Sequence, residues 1–371
     1  MMSTDIDPGQ WAVRMSDSVI ARHPADQTPA WVYEWGLALK GILDVWRQTG
    51  DRAYLAYVRA SIDHFVQPDG TIRTYPVEQY NVDFVNPGKN LFPLYELTGD
   101  ERYAQAARCL RDQMRLHPRT QSGGFWHKLI YPNQMWLDGI YMASPFLAAY
   151  AAMFDEPALF DDVVHQIALV ERHTRDAKTG LLYHAWDESK QQRWADPDTG
   201  CSPHFWGRAV GWFAMALPDV LDFLPADHPR RGEILDILAR LVDAIAGVQD
   251  PASGVWYQIL DLPEREGNYL EASASCMFVY AIAKSVRGGY IPQQWAAVAQ
   301  HAYRGVLEQF ISVDEAGLVS LNRICEVAGL GGTPYRDGSF EYYVKEPVVS
   351  NDLKGVGPFI LASAAMQRLE A

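Results

Sequence analysis

The sequence predicts an all-α fold: six helical hairpins closed into an (α/α)6 barrel, with short β-hairpin-like loops joining the helices. Three observations lead there. Six apolar, helix-length segments recur along the chain, at residues 32–48, 81–97, 134–153, 204–223, 268–286 and 352–369. More amphipathic segments alternate with them, and a glycine followed by aromatic or β-branched residues comes after five of these.

Taken in order, the first amphipathic helix falls at about residues 11–23, and others follow at 51–66, 100–116, 156–174, 228–248 and 292–311. Tyr54, Val58, Ile62 and Phe65 show the spacing: one apolar face, with polar residues opposite. Asp51, Asp100 and the Pro292 region supply helix starts. The glycine turns are Asp69-Gly-Thr-Ile, Gly123-Gly-Phe-Trp, Thr179-Gly-Leu-Leu-Tyr, Ser253-Gly-Val-Trp-Tyr and Ala316-Gly-Leu-Val, each suited to a tight turn and a short strand. The unit is therefore outer helix, hairpin, inner helix. An open stack of such units would leave one face of each apolar helix in water, so closure into a ring is expected. No linker divides the chain, which reads as one catalytic domain over residues 1–371.

A net charge of −14 with no basic stripe argues against nucleic acid as a partner. It leaves room for a small anionic ligand held by local groups. The 12 Trp and 19 Tyr suit either an aromatic-rich interior or the stacking of sugars. Four scattered cysteines in no metal-ligand spacing read as free thiols, and residues 1–22 carry no signal-peptide pattern. The expectation is a cytoplasmic protein, with no membrane partner and an oligomeric state that the sequence leaves open.

The stretch 134–153 organises the rest. It is apolar on every side of a helix, with Asp138 as its one carboxylate, so it must be buried. A buried carboxylate is either a hydrogen-bonded structural residue or one tuned for acid–base chemistry. Asp138 and Pro145 argue against a membrane span.

In a closed ring the six inner helices run in one direction, and their first turns meet at one mouth. Tyr33 and Glu34, Asn81 and Asp83, Gln134 and Asp138, His204 and Arg208, Asn268 and Glu271, and Asn351, Asp352 and Lys354 lie there. The loops add Tyr75, Trp126, His127, Tyr183, His184, Trp186, Trp256 and Tyr257. These residues read either as helix caps or as the lining of a sugar-acid pocket, which helix N-termini favour. Arg208, between Trp206 and Trp212, needs an anion or an aromatic face. His127 and His184 fit no zinc pattern; neither a metal nor a cofactor is expected.

The motifs Tyr80-Asn-Val-Asp, Gly123-Gly-Phe-Trp-His-Lys, Gln134-Met-Trp-Leu-Asp-Gly-Ile-Tyr-Met, Phe205-Trp-Gly-Arg-Ala-Val-Gly-Trp and Gly267-Asn-Tyr-Leu-Glu-Ala-Ser-Ala-Ser carry a resemblance. With Gly329-Leu-Gly-Gly and Asn351-Asp-Leu-Lys-Gly-Val-Gly-Pro, the chain resembles the unsaturated rhamnogalacturonyl hydrolases of glycoside hydrolase family 105, from about residue 31 to 359. That family has an (α/α)6 barrel. The resemblance implies that Asp138 is the general acid/base and that Asp83 assists. It also implies that Tyr33, His127, His184, Trp206, Arg208 and Trp212 line the substrate site.

The reaction so implied hydrates the C4=C5 double bond of an unsaturated uronic acid at the non-reducing end of a lyase product. Asp138 must be protonated first and basic afterwards, which suits a carboxyl beside apolar walls such as Trp136 and near Asp83. Pectin-derived galacturonyl-rhamnose is the substrate expected first. The related family 88 chemistry on glucuronyl groups is the alternative, ahead of a barrel-fold sugar epimerase or a non-enzymatic helical-repeat binding protein.

Overall fold

The computed structural model describes residues 7–370; residues 1–6, part of the stretch read as free of a signal peptide, and residue 371 lie outside the described chain. The helices run α1 (Pro8–Arg22), α2 (Tyr33–Thr49), α3 (Arg52–Asp63), α4 (Leu91–Thr98), α5 (Glu101–Leu116), α6 (Leu137–Met153) and α7 (Ala158–Thr174). They continue with α8 (Gly207–Leu221), α9 (Arg231–Gly247), α10 (Ala272–Arg287), α11 (Ala296–Phe310), α12 (Phe340–Lys345) and α13 (Leu353–Glu370). A 3-10 stretch, Val82–Asn90, leads into α4.

The inner elements close on one another. α2 packs on the 3-10 stretch, which packs on α6; α6 packs on α8, α8 on α10, α10 on α13, and α13 back on α2. Behind them lie α3 on α2, α5 on α4, α7 on α6, α9 on α8, α11 on α10 and α1 on α13. The expected ring of helical hairpins is present. Its hydrophobic core runs from Trp11 to Met366, and α6 is buried along nearly its whole length.

Outer helices start where the capping residues stand: the Asp51 and Asp100 carboxylates accept from the amides of Ala53 and Arg102. Each such cap is worth on the order of 1 kcal/mol. The glycine turns close as expected, with bridges Val66↔Ile72, Arg119↔Phe125 and Arg175↔Leu182. Gly123 and Gly180 sit at φ 90° and 73°, where a Cβ would be strained.

One inner element departs from the expected continuous helix. Pro87 falls inside residues 81–97, offers no N–H and clashes with the preceding turn, so residues 82–90 wind as 3-10 before α4 begins. The tight winding also brings Pro87 against α2: a Cβ on Gly36 would lie 2.4 Å from Pro87 Cα.

A shared device orients the mouth. The first amides of an inner helix have no partner within it. Here they donate to the hairpin of the following unit: Val82 N–H to His127 C=O (3.2 Å), Leu137 to His184 (3.0 Å), Gly207 to Gln258 (2.9 Å) and Ala272 to Arg323 (3.0 Å). Each helix start is thereby pinned beside a residue of the next unit. Among the described residues no helix is long and apolar enough to cross a membrane.

Candidate active site

The pinning creates two similar pairs. β1 (Gln134–Trp136) pairs antiparallel with β2 (Ala185–Asp187), and the ladder ends at Trp136↔Ala185. The chain then turns into α6 on one side, and His184 precedes β2 on the other, so Asp138 in the first helical turn faces the His184 ring. Asp138 Oδ2 lies 3.3 Å from His184 Nε2. One unit earlier, the bridge Asn81↔Lys128 sets Asp83 beside His127 and Lys128. Asp83 Oδ1 is 3.5 Å from His127 Nε2, and Oδ2 is 2.7 Å from Lys128 Nζ.

The two carboxylates have different surroundings. Burial works to raise the Asp83 carboxyl, but the Lys128 ammonium overcomes it and holds Asp83 below the usual carboxylate range. Burial pushes His127 down to about 4, so its ring is neutral near pH 7 and Lys128 supplies the charge. Asp138 has no cation beside it. Its Oδ2, His184 Nε2 and His127 Nδ1 are all buried without a hydrogen-bond partner among the described residues. The 3.3 Å approach is therefore close but misaligned for a hydrogen bond. His184, fully buried, is held from behind by Tyr343 OH, 2.7 Å from Nδ1.

Aromatic rings wall these pairs. Trp136 stacks on His127 with ring centres 4.6 Å apart, and Tyr131 stacks on Trp136 at 4.9 Å. Arg336 Nη2 donates to Tyr131 OH at 2.8 Å and fixes that end of the stack. On the other side Trp206 lies 4.8 Å from His184, and Tyr33 meets Trp212 edge-on at 6.0 Å. Burial pushes the Tyr33 hydroxyl well above the usual tyrosine range, Asp83 and Asp138 add to the shift, and Arg208 opposes it.

Arg208, 1% exposed, meets its charge requirement through carbonyls and a ring. Nη1 donates to Cys325 C=O, Nη2 to Glu326 C=O at 3.3 Å, and the guanidinium lies 4.9 Å over Trp206. Among the described residues no carboxylate approaches it within 4.0 Å, although Glu271 contributes to its field. Glu271 instead accepts from Ser273 Oγ and the amides of Ala274 and Cys325.

Some expected mouth residues do structural work. Trp256 is fully buried and donates from Nε1 to Ile245 C=O (2.7 Å), so it belongs to the core. Trp186 stacks on His173 at 3.8 Å, Tyr75 bonds Gln113 at 2.6 Å, and Asn268 clamps the carbonyls of Ile259 and Leu262.

The chain matches the model of Glycosyl Hydrolase Family 88 over residues 11–370. The chain belongs to this family of glycoside hydrolases. It is 50% identical to a solved glycoside hydrolase from family 105 of C. acetobutylicum ATCC 824, with a TM-score of 0.94, covering 96% of this chain and 98% of that one. It is similar to a 24.9 kDa protein in the picA locus of Rhizobium radiobacter, 44% identical over 60% of this chain and 97% of that protein. It is also similar to the unsaturated rhamnogalacturonyl hydrolase YesR of Bacillus subtilis (strain 168), 28% identical over 72% of this chain and 75% of the relative.

Within this glycoside hydrolase, three further residues that the sequence did not single out touch the cluster. Lys128 carries a signal, since it adjoins His127 in the hairpin, but its pairing with Asp83 depends on the bridge to Asn81. Tyr131 and Tyr343 carry none: one reaches the wall from a turn, the other reaches His184 from α12, 159 residues away in sequence.

Proposed function

We propose that this glycoside hydrolase removes an unsaturated uronic acid from the non-reducing end of a lyase-generated oligosaccharide, most naturally galacturonyl-rhamnose from pectin rhamnogalacturonan. The observation that carries the reading is the unequal pair of carboxylates. Asp83 is charge-compensated and stays an anion, while Asp138 faces a histidine with no cation beside it. The likeness to the family 105 hydrolase and to YesR supports the substrate class.

In this reading Asp138 gives its proton to C4, and positive charge develops at C5, shared with the ring oxygen. The Asp138 carboxylate then takes a proton from a water whose oxygen bonds to C5. The resulting C5 hemiketal opens to a ketone, which leaves C1 as a hemiacetal. That hemiacetal collapses to an aldehyde and releases the aglycone with its oxygen and a proton.

Asp83 accepts hydrogen bonds from sugar hydroxyls, and Tyr33, His127, His184, Trp206 and Trp212 line the ring. Arg208 contributes positive potential for the uronate from behind Trp206. The whole described chain acts as one catalytic domain, and the free thiols of Cys109, Cys201, Cys276 and Cys325 fit a cytoplasmic setting.

The test follows the enol-ether absorbance of unsaturated rhamnogalacturonan disaccharide with wild type and Asp138→Asn. Loss of the band with wild type and its persistence with the variant support the reading. Equal loss with both removes Asp138 from the chemistry. Activity confined to unsaturated glucuronyl disaccharides moves the substrate to the family 88 alternative.

A further inference from the structure

At the end of the barrel away from Asp138, a cavity of about 700 Å³ opens among all six inner elements. That is within the range of small-molecule sites. Six cationic side chains line it (Lys40, Arg47, Lys89, Lys284, Arg287 and Arg368) against four acidic ones (Asp44, Glu96, Asp219 and Asp222). The local excess is two positive charges (6 − 4) in a chain of net charge −14.

Most of the cations are spoken for. Asp219 takes Lys284 at 2.6 Å and Lys40 at 3.5 Å, and Asp44 takes Arg47 at 2.9 Å and Arg368 at 3.6 Å. Lys89 differs. No carboxylate of the described residues comes within 4.0 Å of its Nζ; the amine donates to Tyr141 C=O at 2.9 Å and sits 3.4 Å from the centre of the Tyr141 ring. Burial pushes this amine well below the usual lysine range; Asp219 opposes the shift, and Lys40 and Lys284 add to it.

Lys89 is partly exposed where it lines the cavity, so an anion in that space would lie against the amine and favour its charged form. The C-termini of the inner helices set a negative background at this mouth, but that field fades beyond the last turn. Lys89 precedes α4 altogether, and Lys40 lies in mid-α2, so both cations stand deeper than the terminal carbonyls. Phe92 and Tyr280 give the cavity the apolar walls that a sugar ring uses.

We propose that this cavity is a second ligand site, which takes a small oxyanion, phosphate or the carboxylate of a monosaccharide acid, against Lys89. The ligand supplies the counter-charge that the protein withholds. The site is separate from the Asp138 mouth; between them stands Tyr141, which stacks on Trp212 at 5.0 Å on the active-site side.

The test is isothermal titration of the full chain with inorganic phosphate and, separately, with galacturonate. It uses wild type, Asp138→Asn, Lys89→Met and Ala152→Trp, the last placing a bulky ring at the cavity rim without touching the charges. Near-UV circular dichroism establishes that each variant is folded. Saturable binding of at least one probe, unchanged in Asp138→Asn and weakened at least about tenfold in Lys89→Met and in Ala152→Trp, is the expected result. The probe that binds identifies the source of the oxyanion. No saturable binding of either probe overturns the proposal, as does binding that both cavity variants leave intact. Binding lost in Asp138→Asn alone overturns it too, by assigning the anion to the active-site mouth.

Discussion

Asp138 Oδ2 stands 3.3 Å from His184 Nε2, and neither atom has a hydrogen-bond partner among the described residues. The imidazole cannot turn away, because Tyr343 OH holds Nδ1 at 2.7 Å. The contact is thus held close without forming a hydrogen bond. In the proposed reaction the carboxyl changes protonation state, and a neighbour able to donate or accept at Nε2 serves both states.

Replacing Asp138 by Asn keeps the shape and removes the proton. The expected fall in kcat is on the order of 10³-fold, at the level of lost general acid–base catalysis, with KM little changed. Steady-state kinetics on the unsaturated disaccharide would contradict this if kcat fell less than about tenfold.

Tyr343→Phe leaves His184 Nδ1 buried without a partner, at a stability cost of about 1–3 kcal/mol. The ring then loses its orientation toward Asp138, so kcat falls while substrate affinity holds. A pH–rate profile separates the roles: its limbs shift if Tyr343 positions the histidine, and stay fixed if the tyrosine only packs.

Lys128 is what keeps Asp83 ionised against its burial. In Lys128→Met the Asp83 carboxyl rises, so the acid limb of kcat/KM moves to higher pH, and Lys128→Arg restores much of the original profile. Coincident acid limbs in wild type and the Met variant would dismiss the ion pair as a control on the site.

His117 and His127 are buried and pushed down to about 4. Each folded-state value is below the unfolded one, so the unfolded chain binds more protons between them. Their stability contribution is complete above pH 6.5 and is lost as pH falls toward about 4, at roughly 1.4 kcal/mol per pH unit for each ring. Urea denaturation at pH 7 and pH 5 measures the drop, and His117→Gln reduces it by up to about half.

Gly36 faces Pro87 so closely that a Cβ would meet backbone at 2.4 Å, whereas Gly232 in α9 has nothing within 4 Å. Gly36→Ala should destabilise by about 1–3 kcal/mol or more through strain between α2 and the 3-10 stretch. Gly232→Ala should be neutral or stabilising by up to about 1 kcal/mol. Thermal melts of the two variants test the packing of the ring directly.

The sequence by itself determined the ring. Apolar segments alternating with amphipathic ones encode which helices are inside, because burial acts on periodicity, and glycines at fixed places encode the turns because they adopt the left-handed backbone with least strain. It also determined the candidates at the mouth, since Asp138 is the one charge in a helix that must be buried. Tertiary structure alone decided who partners whom. Asp83 with Lys128 and Asp138 with His184 follow from helix-start amides that must find acceptors in the next unit. Trp256 became core and Arg208 turned to carbonyls for the same kind of reason. A side chain's type is written locally, but its partners are set by segments far along the chain that closure of the barrel brings beside it.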